Sequence, residues 1–387
     1  MISIENALQL ILNQTVPPKT KQVPLGESLG YALAASIVAP FDLPAFDNSA
    51  MDGYALCGLQ ESYTMVDEVA AGDTSHKSLK TGEAMRIFTG GKVPSNTTAV
   101  VMQEQTEASN SKVQVLAEIK ANQNIRKQGS ELGKGQQVFE PGHYITPATV
   151  GLIGSLGYSI VSVFDKPEIR LISTGNELIP PGQSLQPGQI YESNSFAIAS
   201  ALAKYGFECT EKQQVEDDYQ KTKDAIAGYL DKSDVLLLSG GISVGNYDYV
   251  KKALEENGVQ EVFYKVAQKP GKPLYFGRKE DKFVFALPGN PASSLTCFYI
   301  YVLPLLNLLN GAEHRQLPRL DAPLDNSFEL KGTRPAFLKA RLTKNEVTIL
   351  DGQSSSMIHS MALANALVYL KEPGTYAPGQ LVECVIL

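Results

Sequence analysis

The sequence has few cysteines and few histidines, and neither residue type forms a metal-binding pattern. Its four cysteines are isolated, with no CxxC pair, and its four histidines are equally scattered. This spacing excludes a zinc signature. It also argues against a disulfide framework and favours a reducing cytoplasm. Lysine and arginine nowhere cluster among aromatic residues, so we expect no nucleic-acid binding.

Long apolar segments and several familiar motifs are also missing. The first residues, MISIENALQLILNQ, contain no basic segment followed by an unbroken apolar stretch, so we expect no cleaved leader. We also expect that no segment reaches the length of a membrane span. There is no GxxxxGK[ST] loop, no GxGxxG in the first βα unit and no HExxH. These absences exclude a P-loop nucleotide hydrolase and argue against a dinucleotide dehydrogenase. Because the net charge is −7, any anionic ligand must be held by a local site.

The chain is too long for one hydrophobic core, and its patterns change along its 387 residues. Residues 1–40 show helical patterns, including a helix predicted over Glu27–Ala35. Short alternating segments separated by Gly, Pro, Asn and Ser then predict strands. We therefore expect an N-terminal module of residues 1–40 and 126–167, interrupted by an inserted β domain of residues 41–125.

The second half of the chain changes character again. Residues 168–311 alternate strands with helices, which predicts a three-layer α/β domain with a mostly parallel sheet. Its last element is a long apolar helix, Ala292–Leu309, in which we expect a kink at Pro304. Residues 312–387 return to short strands and turns, which predicts a C-terminal β domain with a barrel-like form. The fold class is therefore multidomain α/β.

Polar turns follow several predicted strands of the α/β domain. The strand Val235–Ser239 runs into Gly240-Gly241, and a helix is predicted to begin near Asp248. Glycines let a ligand approach the backbone, and a helix N-terminus carries partial positive charge, so this unit can bind an anion. Ligands of such folds bind at the carboxyl ends of the strands. The candidate binding residues at these ends are Ser173, Thr174, Gly240, Gly241, Ser243, Lys269, Lys272, Pro288, Gly289, Asn290 and Pro291.

Each of these turns also has an ordinary structural explanation, as a turn, a helix cap or a solvated lysine. Together they predict more, because carboxylates at Glu177, Asp217 and Asp248 accompany the anion donors. Oxygen ligands beside a phosphate suit Mg²⁺. We also expect the free N–H groups of the helix that begins near Pro291 to point into the crevice. The set favours electrostatic chemistry on a phosphorylated or adenylylated ligand.

The inserted β domain contains a second candidate anion site. Thr89-Gly90-Gly91 follows a predicted strand, and its successive N–H groups could form an anion nest with the Thr89 hydroxyl. An ordinary glycine hairpin turn explains the same residues equally well.

Seven motifs, taken in order along the chain, resemble those of one protein family. They are FDNSAMDGYAL (46–56), RIFTGGKVP (86–94), ISTGNEL (172–178), IYESNS (190–195), SGGISVGNYDY (239–249), QKPGKPLYFG (268–277) and LPGNPASS (287–294). They are similar to the MoeA family, the molybdopterin molybdenumtransferases, which includes the gephyrin E domain. The resemblance implies an elongated four-domain homodimer whose α/β domain is MogA/MoaB-like. It implies an enzyme of molybdenum cofactor biosynthesis that inserts molybdate into adenylylated molybdopterin, with Mg²⁺-dependent hydrolysis and release of AMP.

The resemblance also implies roles for individual residues. Arg334 in RPAF and Ser355 in GQSSSMIHSMALANAL join the substrate-binding set, and Glu177 and Asp248 are the implied metal ligands. Two positions depart from the family pattern. Asn246 replaces an acid, which removes one possible metal ligand, and Ser356 replaces a glycine, which affects the geometry of its loop. The implied catalytic residues are Asp52, Thr89, Glu177, Asp217 and Asp248.

Because Asp52 and Thr89 belong to a different domain from Asp248, the family resemblance implies a site shared between two subunits. Transient docking to the adenylyltransferase that supplies the substrate is a further expectation. Two alternatives remain at this point. One is a molybdopterin adenylyltransferase, whose α/β fold is similar to residues 168–310, and the other is a non-enzymatic scaffold of the gephyrin type.

Overall fold

The computed structural model describes residues 1–73, 75, 77–242 and 249–387. Strands dominate the two ends of the chain, and most helices lie in its middle. The described α-helices are Ile4–Leu12, Pro147–Ser155, Asn194–Lys204, Tyr219–Leu230, Tyr249–Glu256, Pro291–Cys297, Leu303–Leu309 and Ile358–Leu363.

Two separated parts of the chain build the N-terminal region together. Each of its three two-stranded sheets pairs a strand before residue 50 with a strand after residue 124. Val23, Leu33, Ile145 and Val163 from both parts share one buried core. The antiparallel pairs are Thr20–Pro24 with Ile160–Phe164, Ile37–Val38 with Gln137–Phe139, and Asn48–Ser49 with Ile125–Arg126.

The helix predicted over Glu27–Ala35 is wrong. Only a 3₁₀ turn, Leu25–Glu27, forms there. The backbone N–H of Leu33 donates to the carbonyl of His143, and that of Ala34 donates to Ser162. These long-range partners replace the bonds that a helix would make, and Gly30 adopts a left-handed φ of 79°.

The segment between these two parts forms a six-stranded sheet, which confirms the predicted inserted β domain. Its neighbours are antiparallel except for Ser62–Val69 and Glu83–Ile87, which run parallel. Both faces bury apolar side chains. The strand order is Ala99–Met102, Gly53–Leu56, Glu83–Ile87, Ser62–Val69, Lys112–Val115 and Thr106–Ser109.

The α/β region contains the sheet that positions the site. Its first four strands are parallel, and the fifth, Tyr275–Lys279, runs antiparallel to both of its neighbours, as expected for a mostly parallel sheet. Helices cover both faces, over two separate buried cores, so the three layers are confirmed. Helix Ile4–Leu12 joins one of these cores through Ile4, Ala7 and Ile11. The strand order is Cys209–Val215, Ile169–Thr174, Val235–Ser239, Lys282–Leu287, Tyr275–Lys279 and Gln260–Tyr264.

The long apolar helix is continuous but irregular. A π-helical turn, Phe298–Val302, separates two α-helical segments and ends just before Pro304, where we expected the kink. Among the described residues, Pro291–Leu309 is the one helix long and apolar enough to cross a membrane, with 19 residues and a mean hydropathy of 1.6. The expectation that no segment reaches this length is therefore wrong. Because 78% of its apolar window is buried within the protein, this is a core helix.

The C-terminal sheet is antiparallel and curls into a barrel-like form. A bridge between Leu324 and Val347 joins its two edges. The strands predicted here include Phe328–Leu330 but not its partner in a small sheet, Gly374–Tyr376. The first strand of the large sheet and the helix Ile358–Leu363 were not predicted either. The strand order is Arg319–Pro323, Leu381–Ile386, Ala366–Leu370, Ala336–Leu342 and Val347–Ile349.

Candidate functional site

The carboxyl ends of three parallel strands meet at the centre of the α/β sheet. In the strand register Ser173 lies opposite Ser239, and Ser239 lies opposite Leu287. The polar turns that follow these strands therefore start side by side. This alignment fulfils the expectation that the turns share one edge of the sheet.

The turn after Ser239 requires glycine for two reasons. Gly240 and Gly241 have φ values of 92° and 66°, in the left-handed region. A Cβ atom on Gly240 would lie 2.5 Å from the Thr174 carbonyl oxygen, and one on Gly241 would lie 2.7 Å from the Thr174 hydroxyl oxygen. That hydroxyl is buried and has no hydrogen-bond partner among the described residues. The turn thus packs against Thr174 and leaves a polar atom for a ligand to satisfy.

Asn194, which is not among the residues predicted from the sequence, connects two of the turns. Its side-chain amide donates to the Ser239 hydroxyl at 2.8 Å and to the Gly289 carbonyl at 2.7 Å. Asn194 begins a helix, and the buried Glu192 carboxylate caps that helix by accepting from the N–H and hydroxyl of Ser195. The helix start thereby fixes the distance between the glycine turn, Gly240-Gly241, and the turn of residues 288–291 that precedes the long helix.

The loop that contains both predicted lysines is fastened to the C-terminal sheet. The Lys269 N–H donates to the Pro335 carbonyl at 2.9 Å, and the Phe337 N–H donates to the Lys269 carbonyl at 2.8 Å. Arg334 donates to the carbonyl of Gln268 at 2.9 Å. The Gln268 side chain is fully buried and donates to the Pro270 carbonyl at 2.9 Å. The buried Gln268 side chain and the C-terminal sheet therefore both hold the lysine loop in place.

A serine-rich loop of the C-terminal region meets the start of the long helix. The carbonyl of Ser355 accepts from the N–H groups of Ala292 and Ser293, and its hydroxyl accepts from the Asn290 side chain at 2.9 Å. The expectation that these helix N–H groups point free into the crevice is therefore wrong. A neighbouring carbonyl already satisfies them.

These turns enclose one large cavity of about 1230 Å³. Its basic side chains come from the lysine loop and the C-terminal region, and its two exposed acids follow two strands of the α/β sheet. The predicted site residues that line it are Ser173, Thr174, Glu177, Asp217, Gly240, Gly241, Lys269, Lys272, Pro288, Gly289, Asn290, Pro291, Arg334 and Ser355.

The cavity can attract both an anion and a cation. Lys269, Lys272 and Arg334 take part in none of the salt bridges among the described residues, so their charges face the cavity without a carboxylate partner. Glu177 and Asp217 are exposed carboxylates in the same lining. The described residues contain no group of three or more His, Cys, Asp or Glu side chains placed to hold a metal. A hard cation here therefore requires oxygen atoms from a ligand as well, as is usual for Mg²⁺ at phosphates.

Asp52 and Thr89 lie together, but outside this cavity. Asp52 precedes strand Gly53–Leu56, whose first residue is paired with Ile87 at the end of the neighbouring strand. The Asp52 carboxylate accepts from the N–H of Thr89 at 2.7 Å and from its hydroxyl at 2.8 Å. These bonds lower the pKa of Asp52. The Thr89 donors that we expected to form an anion nest already bind a carboxylate of the same chain.

Three residues singled out from the sequence, Ser243, Asn246 and Asp248, lie outside the described residues. Ser243 also falls within a G-x-S-x-G string, residues 241–245, which matches the nucleophile elbow of α/β hydrolases. The described lining of the cavity contains no histidine that could act as the base of such a nucleophile.

Asn194, Gln268 and Lys339 are the site residues that sequence reasoning missed. Two of them, Asn194 and Gln268, lie within the quoted motifs IYESNS and QKPGKPLYFG, of which only Lys269 and Lys272 were predicted to be site residues. Lys339 lies in a strand, and its ammonium group donates to the carbonyls of Gly352 and Ser354, more than ten residues away. No local sequence pattern marks such a contact.

Comparison with known proteins accounts for almost the whole chain. Residues 2–157 match the MoeA N-terminal region (domain I and II), residues 170–308 match a probable molybdopterin binding domain, and residues 321–387 match the MoeA C-terminal region (domain IV). The molybdopterin molybdenumtransferase of Haemophilus influenzae is 34% identical over 395 residues, which cover 99% of this chain and 98% of that protein. The enzyme of the same name from Staphylococcus epidermidis is 32% identical, with coverage of 100% and 95%.

Solved structures indicate the same family as these relatives. A crystal structure of the molybdopterin biosynthesis moeA protein from Pyrococcus horikoshii superimposes with a TM-score of 0.86 and 28% sequence identity, and the match covers all of both chains. Similarity extends on both sides of the α/β region, which an adenylyltransferase consisting of that fold alone would not show, and the curated relatives are named as enzymes, molybdopterin molybdenumtransferases. The chain therefore belongs to the MoeA family.

Proposed function

We propose that this protein is a molybdopterin molybdenumtransferase, which inserts molybdate into adenylylated molybdopterin and releases molybdenum cofactor and AMP. One observation supports this function above the others. A single cavity contains three cations without carboxylate partners, Lys269, Lys272 and Arg334, together with the carboxylates Glu177 and Asp217. The cations suit a tetrahedral oxyanion, and the carboxylates suit a phosphate bridge with a hard cation.

In this proposal the described residues bind and orient the two substrates. Lys269, Lys272 and Arg334 bind molybdate oxygens by charge-assisted hydrogen bonds, and the Ser355 hydroxyl adds a further contact. The unpartnered hydroxyl of Thr174, next to the glycine turn, donates to a phosphate oxygen of the nucleotide bridge. Hydrolysis then breaks one P–O bond of that bridge and consumes one water. Insertion exchanges Mo–O bonds of molybdate for Mo–S bonds to the dithiolene, and the displaced oxygen leaves as water.

Magnesium belongs to the same proposal. Glu177 would hold Mg²⁺ together with Asp248, and the exposed Asp217 lies in the same lining. Carboxylate oxygens beside a phosphate-binding turn fit this ion, which usually keeps several waters and takes one or two carboxylates plus substrate phosphates. When bound, the ion would neutralise charge on the bridging phosphates. Asp217 and Glu177 would orient the water that attacks.

The proposal also includes the assembly. Asp52 and Thr89 match catalytic positions of the family but lie outside the cavity of their own chain, so we infer that the partner subunit of a homodimer supplies them. The protein would work in the cytoplasm and dock transiently with the adenylyltransferase that supplies its substrate. Retention on immobilised adenylyltransferase only while adenylylated molybdopterin is present would support that docking.

The direct test of the function is an AMP assay. Purified protein is mixed with adenylylated molybdopterin, Mg²⁺ and molybdate, and AMP is quantified by chromatography. We expect AMP in proportion to the molybdenum bound by the product, and none without molybdate. Lys269→Ala should abolish this release. Lys331→Ala, at a lysine with 79% side-chain exposure in the C-terminal region, should leave it unchanged. AMP release that is independent of molybdate would contradict the proposal.

A further inference from the structure

Lys339 is a buried cation that no step of the proposed reaction uses. It lies in the middle of strand Ala336–Leu342 and is only 2% exposed. Burial lowers the pKa of its ammonium group. None of the described carboxylates forms a salt bridge with it. Burying an ammonium group without an acid costs free energy that an apolar side chain at the same place would not cost.

The ammonium group binds backbone carbonyls of the serine-rich loop, residues 352–357. It donates to the carbonyls of Gly352 at 2.6 Å, Ser354 at 2.9 Å and Met357 at 3.3 Å. The loop is also tied to the strand backbone, because Gln353 accepts from the Lys339 N–H at 3.0 Å and donates to its carbonyl at 2.8 Å. These carbonyls lie on both sides of Ser355, so Lys339 fixes the segment that presents Ser355 to the cavity.

The same strand also fixes the lysine loop. The start of the strand is bridged to Lys269, through the N–H of Phe337 and the carbonyl of Pro335. Two groups proposed to bind the oxyanion, Lys269 and the Ser355 hydroxyl, are therefore positioned from one strand of the C-terminal sheet. The distance between them depends on contacts at residues 335–339 of that strand.

We propose that Lys339 is a positioning residue that sets the geometry of the molybdate end of the cavity. This inference rests on the proposed function, since it assumes that the cavity binds molybdate. Lys339 touches neither substrate. It orders the loop around Ser355, so that the hydroxyl faces the cations of the lysine loop before the anion arrives, which lowers the entropy cost of binding. Thr174 and Glu177, which are proposed to act on the nucleotide bridge, instead lie at and just after the end of strand Ile169–Thr174 of the α/β sheet.

The test separates this role from simple stabilisation. Lys339→Met keeps the aliphatic length and removes the donors. We expect the molybdate KM, and the molybdate Kd measured by calorimetry without nucleotide substrate, to rise about tenfold, as for one lost hydrogen-bonded contact. The KM for adenylylated molybdopterin should stay within about twofold. Lys331→Met is the matched control and should change neither constant. All assays are run well below the melting temperature of each variant.

A folded Lys339→Met protein with unchanged molybdate affinity would overturn the inference. An equal rise in both KM values would do the same, since it indicates a general structural role. If Lys339→Met does not fold, Lys339→Gln takes its place under the same criteria, because its shorter, uncharged side chain has only two N–H groups and cannot replace the bonds to all three carbonyls. A wild-type protein that releases AMP without needing molybdate would overturn the proposed function itself, which distinguishes the two failures.

Discussion

Asp52 and Thr89 form a hydrogen-bonded pair that keeps the Asp52 carboxylate ionised. Hydrogen bonds from Thr89 lower the pKa of Asp52. The N–H of Thr89 makes the largest contribution and its hydroxyl the next largest. An aspartate whose pKa is lower in the folded state contributes stability above its unfolded pKa, and this contribution is lost as the pH falls through the folded pKa. The carboxylate is therefore fully ionised at neutral pH and is not a proton donor.

We predict that Thr89→Val raises the pKa of Asp52 without restoring its ordinary value, because the N–H donor remains. Carbon-13 NMR titration of the aspartate carboxyl groups measures this directly. Thr348→Val, which removes a hydroxyl bonded to Asp325 in the C-terminal sheet, is the control and should leave Asp52 unchanged. An Asp52 pKa that is the same in wild type and Thr89→Val would contradict this account of the pair.

Gly241 offers a test of the glycine turn. Alanine there would adopt a left-handed φ of 66° and place its Cβ 2.6 Å from a Val250 methyl group. Gly379 has a φ of 81° with no atom within 4 Å of the same position, so Gly379→Ala has the backbone strain alone. We predict that Gly241→Ala lowers the free energy of unfolding by about 2 kcal/mol more than Gly379→Ala, measured by urea denaturation. Equal losses would show that close packing against Val250 and Thr174 is unimportant.

At the scale of whole elements, the sequence predicted the α/β region well and the edges of the other sheets poorly. Buried parallel strands such as Val235–Ser239 are continuous apolar segments between turn residues, so both their type and their place can be inferred. Arg319–Pro323 is an edge strand with three exposed residues at its start and ends in proline, which gives no alternating pattern. Glu27–Ala35 has helical composition, but backbone partners distant in sequence determine its conformation.

The π-helical turn of the long helix is linked to the lysine loop. Tyr301, fully buried in that turn, donates its hydroxyl hydrogen to the side-chain oxygen of Gln268. Tyr301→Phe leaves that buried amide oxygen without a donor, so we predict a loss of about 1–3 kcal/mol in the free energy of unfolding. Tyr299→Phe, two residues away in the same turn, is the control and should cost less. Urea denaturation compares the two, and equal effects would contradict the importance of this contact.

At the scale of the molecule, the sequence could predict which residues gather at the sheet edge, because parallel strands share that edge. It could not predict the supporting residues. Asn194, Gln268 and Lys339 act through contacts with residues far away in the chain, and no local pattern marks such contacts. It also could not predict that Ser355 would occupy the helix N–H groups, since that contact joins the C-terminal region to the α/β region.

The whole-molecule claim is that each site needs two subunits. The cavity has Lys269 in its lining, whereas Asp52 lies on another surface of the same chain. Under this claim Asp52→Ala and Lys269→Ala each inactivate both sites of a homodimer. A heterodimer of the two variants has one site in which both residues are intact and one in which both are replaced.

The most direct measurement is therefore the AMP release of a mixture of these two variants after subunit exchange. We predict that each variant alone is inactive, and that an equal mixture recovers about a quarter of wild-type activity, because half of the dimers are mixed and each has one intact site. A mixture of Lys269→Ala with Arg334→Ala, both within one cavity, should recover none. An exchanged Asp52→Ala and Lys269→Ala mixture as inactive as its parents, or an Asp52→Ala protein with full activity, would contradict the claim.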